Sequence, residues 1–397
     1  MKRLALFPVL LICAAGFVCS FDFGLLLSQE IEVDNNHFTY TPAFTPWFSW
    51  NGGRSLSVYV SNKFFFDYNN YYDNDAASGW ARPVFRSELT FTAVSYRINE
   101  RMSLQAGRIE YADALGFTAL GLFDGARFQM GLPLGSINIG AFYTGFLYKE
   151  TALILMTAND AEEYAKSWGI GNLCAYFASR RFLSAARWDA PLGEIFTLSA
   201  EVLAQFDLND DDQNLHSQYA EVKMVFYPLN TIEVTAGALF EAMQSGGENF
   251  SVAFGFLAGM KMEMPGPLSD FLNVNFKFTS GPNDNSIAFT PLSCVSQGDV
   301  FSGTISGLAF PSADYNVRIH YTLFAEGSLR YFIRTYDDST TDGNLYGGEM
   351  WASLAWQPLD DIRLTVGGGV FFPGLGNVYP RGTDPGWKVN AVLALSL

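Results

Sequence analysis

The sequence is short of charge. Lys, Arg, Asp and Glu make up 16% of its 397 residues, where a soluble domain carries about a quarter. That deficit argues against a surface wholly bathed in water. Long hydrophobic runs are missing too: after Leu4 to Val18, no stretch offers the roughly 18 uninterrupted apolar residues of a spanning helix. Inner-membrane helices are therefore excluded. Histidine is scarce, with only His37, His216 and His320, and none stands in a metal-spaced cluster or a nucleophile motif. The expectation is a protein that is not an enzyme and uses no catalytic residue, metal or cofactor. Positive charge is also in deficit, with 24 Lys and Arg against 40 Asp and Glu, which excludes nucleic acid as a partner.

The first twenty residues read as a leader. Lys2 and Arg3 precede an apolar stretch, and Val18 and Ser20 flank a cleavage point before Phe21. Acylation at Cys19 is the competing reading, but Gly16, Phe17 and Val18 make a poor signal for it. The domain plan is thus a signal peptide over 1–20 and one domain over 21–397. Cleavage leaves Cys174 and Cys294, either paired or as two free thiols.

What the chain has instead is alternation. In Phe271 to Thr279, Leu272, Val274, Phe276 and Phe278 are apolar, whereas Asn273, Asn275, Lys277 and Thr279 are polar. Period two makes a strand with two unlike faces. The pattern recurs at 55–61, 85–92, 137–140, 221–226, 232–241, 316–322, 362–366 and 388–397. No helical region is long enough to cover so many apolar faces, so they must meet lipid. Closure removes the edges that lipid would punish. The fold class is all-β: a transmembrane antiparallel up-and-down barrel with an apolar outside and a polar lumen.

Turns set the count. A Pro-Leu pair before polar or small residues recurs at 133–136, 191–194, 228–230, 267–270 and 358–361. Asn51-Gly52-Gly53, Ile98 to Arg101 and Glu326-Gly327-Ser328 add three. Eight turns join sixteen strands, and runs near 22–33 and 386–397 bring the total to 18, with 16 the runner-up. The opposite ends carry longer, polar loops at 67–81, 149–171, 209–214, 282–312 and 374–385, which orients them outward from a barrel in an outer membrane. Aromatic rings crowd the strand ends, as at Trp47, Phe48 and Trp50, where interfacial girdles belong; sugar stacking is the rival for Tyr68 to Tyr72. The chain closes on Leu397, where barrels of this class usually end on an aromatic residue.

The stretch Gln105 to Lys149 resembles a family of spirochaete outer-membrane barrels, through Gly107-Arg108, Asp113 with Gly116, Leu122 to Gly125, and Ala141 to Gly145. More distantly, Gly107-Arg108, Ser280-Gly281 and Phe289-Thr290-Pro291-Leu292 resemble alginate-export and substrate-specific porin barrels. These resemblances imply an outer-membrane pore of about 18 strands, without fixing a substrate.

Parity points Lys63, Arg86, Lys223, Lys277, Arg318, His320, Arg363 and Lys388 inward, with Glu88, Glu221, Glu233, Glu241 and Glu349. Mixed charge reads either as a wall of cross-strand pairs or as a slightly basic lumen behind acidic loops. In 149–171, apolar Ala152 to Met156, including Leu155, need cover, and Asp160 with Glu163 suits a helix cap. This loop is expected to fold into the mouth, and 282–312, with Cys294, is a second candidate. The functional expectation is a porin-like channel for passive diffusion of small hydrophilic solutes, mildly anion-selective. The rivals are an adhesin or ligand receptor displayed on a barrel, and a carrier for hydrophobic compounds with a lateral opening. Expected partners are outer-membrane lipids, the barrel-assembly machinery and the solutes; oligomeric state stays open.

Overall fold

A computed structural model describes residues 19–53, 55–71, 79–80, 83–169, 172–209, 214–246, 249–282, 287–337 and 343–397. The leader up to residue 18 lies outside them, as do Tyr72, Asp73, Asp75 and Asp210 to Asp212 of the expected loops.

Eighteen antiparallel strands close on themselves. The first seven are β1 (Cys19–Asp34), β2 (His37–Gly52), β3 (Leu56–Tyr71), β4 (Val84–Arg97), β5 (Met102–Ala112), β6 (Leu120–Gly131) and β7 (Ser136–Tyr143). After a long loop come β8 (Arg181–Pro191), β9 (Phe196–Asp207), β10 (Leu215–Leu229), β11 (Ile232–Ser245), β12 (Asn249–Glu263) and β13 (Phe271–Thr279). The last five are β14 (Leu308–His320), β15 (Leu323–Arg334), β16 (Leu345–Leu359), β17 (Ile362–Phe372) and β18 (Gly386–Ser396). Each pairs with its sequence neighbours, and β18 returns to β1 with Val33 opposite Val389. A two-residue strand, Gly79–Trp80, pairs antiparallel with the end of β3. This matches the larger of the two counts read from the turns.

Alternation decides which way each residue points. On β10, Val222, Met224 and Phe226 are exposed on the outside, while Glu221 is buried inside. One expected turn is misplaced. Glu326-Gly327-Ser328 runs straight through β15, and the turn lies at Tyr321–Thr322. Glycine within a strand imitates a turn signal, and here the alternation continues across it. One loop is absent from the sequence reading: residues 113–119 join β5 to β6, held by the Asp113 carboxylate, which accepts the amides of Phe117, Thr118 and Ala119.

The seam between β4 and β5 is the shortest in the wall. It has six residue pairs and ends at Thr92 opposite Arg108. Next to its last pair β5 bends inward at Gly107, whose φ is +130° and whose missing side chain leaves room for the Thr92 carbonyl; a Cβ there would stand 2.2 Å from that oxygen. Gly107→Ala therefore combines left-sided backbone strain of about 1–3 kcal/mol with a backbone clash. We expect it to lower the urea midpoint of the folded barrel clearly below that of Gly368→Ala, where the new Cβ meets ordinary contacts; equal midpoints would refute the bend.

Candidate functional site

Three loops from the long-loop end fold into the lumen through their described residues: 113–119, 144–169 with 172–180, and 280–282 with 287–307. Each brings apolar residues that water would not cover, among them Leu115 and Phe117, Ile154 and Met156, and Phe289, Leu292 and Ile305. The inner wall answers with Ile109, Leu183, Leu203, Leu239, Met243 and Phe332, and together they form one buried cluster. The inner face is thus not polar throughout. Where a loop leans on it the wall is apolar, because a sheet face turned toward packed protein follows the rule of any core.

Folding a loop inward strips its backbone of water, so every amide needs an acceptor. The wall supplies carboxylates. Glu201 accepts the Ala114 amide at 2.7 Å and the Tyr111 hydroxyl at 2.6 Å. Directly across on β10, Glu221 accepts the Leu115 amide at 3.2 Å and the Thr118 hydroxyl at 2.8 Å. Glu241 takes the Thr290 amide at 2.9 Å. Glu349 takes the amides of Asp299, Val300 and Phe301, and also pairs with Arg330. A typical bond of this kind contributes about 0.5–1.5 kcal/mol, and losing one would leave a buried amide unsatisfied at a cost of about 1–3 kcal/mol. The loops also bind one another: the amides of Leu292 and Ser293 donate to the Thr118 carbonyl, and that of Cys294 to the Leu153 carbonyl.

Loop 144–180 is tied down by ions. Arg181 at the start of β8 donates to Asp160 at 2.6 Å and stands 2.9 Å from Asp207, all three buried. Asp160 is not the helix cap. Thr157 caps the helix α2 (Ala158–Ala165), which follows the single-turn α1 (Lys149–Ala152), and Asp160 is its capping-box partner. The sequence reading placed that box one turn too late, because Thr157 lies inside the apolar approach. Lys149 donates to the carbonyls of Glu163 and Lys166 at the far end of the helix, where a cation is favoured. Burial pushes its ammonium below the ordinary lysine value, opposed by Glu150 and Glu163. Arg86 reaches Asp67, Tyr148 and Glu150, and Glu88 accepts the Thr151 hydroxyl at 2.5 Å. Cys174 and Cys294 are free thiols; burial raises the Cys294 thiol's pKa, so it is kept protonated.

Space remains between loops and wall. One cavity, of about 270 Å³, lies between loop residues Gly116, Ser293 and Gln297 and wall residues Lys277, Asp314 and Arg330. Another, of about 290 Å³, holds Lys63, Glu88, Thr90 and Arg108 against Thr151 and Ala152. Leu120 lines both, so the two cavities adjoin at that residue. Lys277 stands between the rings of Phe117 and Phe310, 5.6 and 5.7 Å from their centres, and makes no ion pair with any described residue. Arg330, by contrast, is engaged by Asp299 and Glu349.

The residues singled out from sequence are dispersed through this arrangement. Glu221, Glu349, Arg86 and Glu88 are loop anchors. Lys223, half-buried, pairs with Gly237, over which Leu115 packs, so it sits beside loop 113–119. Glu233 lies near a short turn beside Thr235. Arg318, His320 and Arg363 are exposed at the short-turn rim, with His320 against Thr322. In the loop, Ala152 lines a cavity, Leu155 is half-buried, Asp160 is locked to Arg181, and Glu163 faces outward with Lys166. Sequence reasoning missed Tyr111, Asp113, Glu201 and Arg330, and the triad of Arg181. The regular spacing of Glu201, Glu221 and Glu241, one hairpin apart, was a readable signal.

No family model and no curated protein matches the sequence. The fold does match solved structures. OccK5 (OpdH) of Pseudomonas aeruginosa superposes with a TM-score of 0.62 at 9% identity, over 95% of this chain and 98% of that one. The outer membrane protein OpdK of the same organism gives 0.60 at 11% identity, over 95% and 99%. OpdK with vanillate gives 0.58 at 11%, over 96% and 100%. The chain is therefore similar in fold to these outer-membrane barrels.

Removing Arg181 should free the loop. Arg181→Met leaves Asp160 and Asp207 buried without their counter-ion, a change that costs about 3–5 kcal/mol. The expected result is protease cleavage within 149–169 of a barrel that still shows its folded gel mobility. Continued protection of the loop would contradict the anchoring role.

Proposed function

We propose that the chain is an outer-membrane channel through which small hydrophilic solutes diffuse passively, with a mild preference for anions. The observation that carries this reading is the division of labour among the inward charges. Glu201, Glu221, Glu241 and Glu349 accept loop amides, whereas Lys277 lines a lumenal cavity with Arg330 and Asp314 and makes no ion pair with a described residue. Lys223 likewise makes no ion pair with a described residue. The charged residues lining that cavity are Lys277, Arg330 and Asp314, two positive to one negative, and charge lining a pore sets its selectivity. The likeness to OpdK with vanillate supports a small organic anion as cargo. On this reading residues 1–20 are a leader removed before Phe21, the pore is lined by the charges named above, and no cofactor or energy input is used. The kinship with spirochaete barrels suggested by residues 105–149 belongs to the same proposal.

Two measurements follow. In a salt gradient across a planar bilayer, the wild-type reversal potential should indicate anion preference, and Lys277→Gln should move it toward zero; cation preference unaffected by the change would refute the assignment. Deleting 152–164 should raise single-channel conductance, because Ala152 and Thr151 line the cavity of about 290 Å³. Unchanged conductance would place the conducting path elsewhere.

A further inference from the structure

From Val84 to Phe91 one edge of β4 pairs with β3, while the other has no strand beside it among the described residues. The tip of β5 and β6 has turned into the lumen at that height, where Tyr111 reaches Glu201. Bare strand edges are costly in hydrocarbon, so something must cover this one. Loop 144–180 does, with side chains in place of a strand. The Tyr176 hydroxyl donates to the Ser87 carbonyl at 2.6 Å. Arg108 donates to the carbonyls of Leu89 at 2.6 Å and Phe146 at 2.8 Å, bracing the gap.

The cover has two passes of chain, 144–148 and 173–178, with Tyr176 stacked on Tyr148 and Trp168 against Tyr176. Its two passes are joined by the Ala178 amide donating to the Leu147 carbonyl at 2.9 Å, and by a bridge between Tyr148 and Phe177. On the outside, Phe146 is exposed and lies against Tyr143, which alternation turns outward on β7. On the inside, Leu147 lines the cavity of about 290 Å³. That cavity is two-sided: Leu122, Phe123 and Leu147 are apolar, while Lys63, Glu88 and Thr90 are polar.

We infer that this seam is a lateral door: displacing the 144–148 and 173–178 cover joins the cavity to the bilayer and lets an amphipathic solute, an apolar chain with one polar head, leave the lumen sideways. Its hinge side is the end of β7 and its latch side the uncovered edge of β4. The inference rests on the barrel lying in a membrane, and not on the hydrophilic route proposed above.

The test joins Ser87→Cys to Tyr176→Cys with a short bismaleimide, in the full chain carrying Cys174→Ser, after the barrel has folded. Decanoate uptake by cells is read beside potassium chloride current in bilayers. The free protein should take up decanoate above cells lacking it, and the cross-link should return uptake to that background with current unchanged. Uptake that survives the cross-link, or none without it, overturns the door. A barrel without current whose uptake still depends on the cross-link supports the door while refuting the hydrophilic route. Because Tyr176→Cys removes a wall contact, Leu147→Cys gives a second readout: a maleimide carried on a lipid acyl chain should label it, and labelling only by a water-borne reagent overturns the proposal.

Discussion

Backbone amides that leave water must find acceptors, and this one constraint shapes both the wall and what fills it. In the wall the answer is closure, since a sheet that meets itself has no edge to expose. Inside the barrel the answer is carboxylate. Loops carrying Leu115, Ile154, Met156, Phe289 and Leu292 gain by burying those side chains, but they bring peptide groups with them. Glu201, Glu221, Glu241 and Glu349 project from the wall where those groups arrive.

In the channel proposed above, an acidic chain would offer a basic passage. The wall acids are engaged as structural acceptors, and the net charge of −16 says little about the charge a solute meets. The loops are also coupled. Leu292 and Ser293 lean on Thr118, and Cys294 on Leu153, so the three form one packed body inside the barrel. A change in any one loop should alter the shape of the whole body.

Strand architecture was legible because it is a local property. Alternation in Leu272 to Thr279 needs no knowledge of distant residues, and Pro-Leu turns announce themselves through fixed dihedrals. Gly327 shows the limit, since a glycine reads alike in a turn and in a strand. The inward set was legible only as parity. Sequence distinguishes the side of the sheet on which Glu221 lies, but not that Leu115 and Thr118 will be its partners 106 and 103 positions away. Arg318 and Glu349 share a parity class of inward charge, yet one is at the open rim and the other under a loop. Height along the barrel is set by strand stagger, which no single strand reveals. The apolar inner wall was hidden for the same reason: Leu203 and Leu239 follow alternation faithfully, and only the loop above them makes their inward position favourable.

Diffusion through the barrel requires the space between the infolded loops and the wall to be a water-filled path. Single-channel recording of the purified full chain in planar bilayers, with neutral solutes of graded size added to both sides, tests that most directly. A steady current, reduced by small solutes that enter the bore and unaffected by those too large for it, is the predicted result. A folded barrel that passes no current would contradict it.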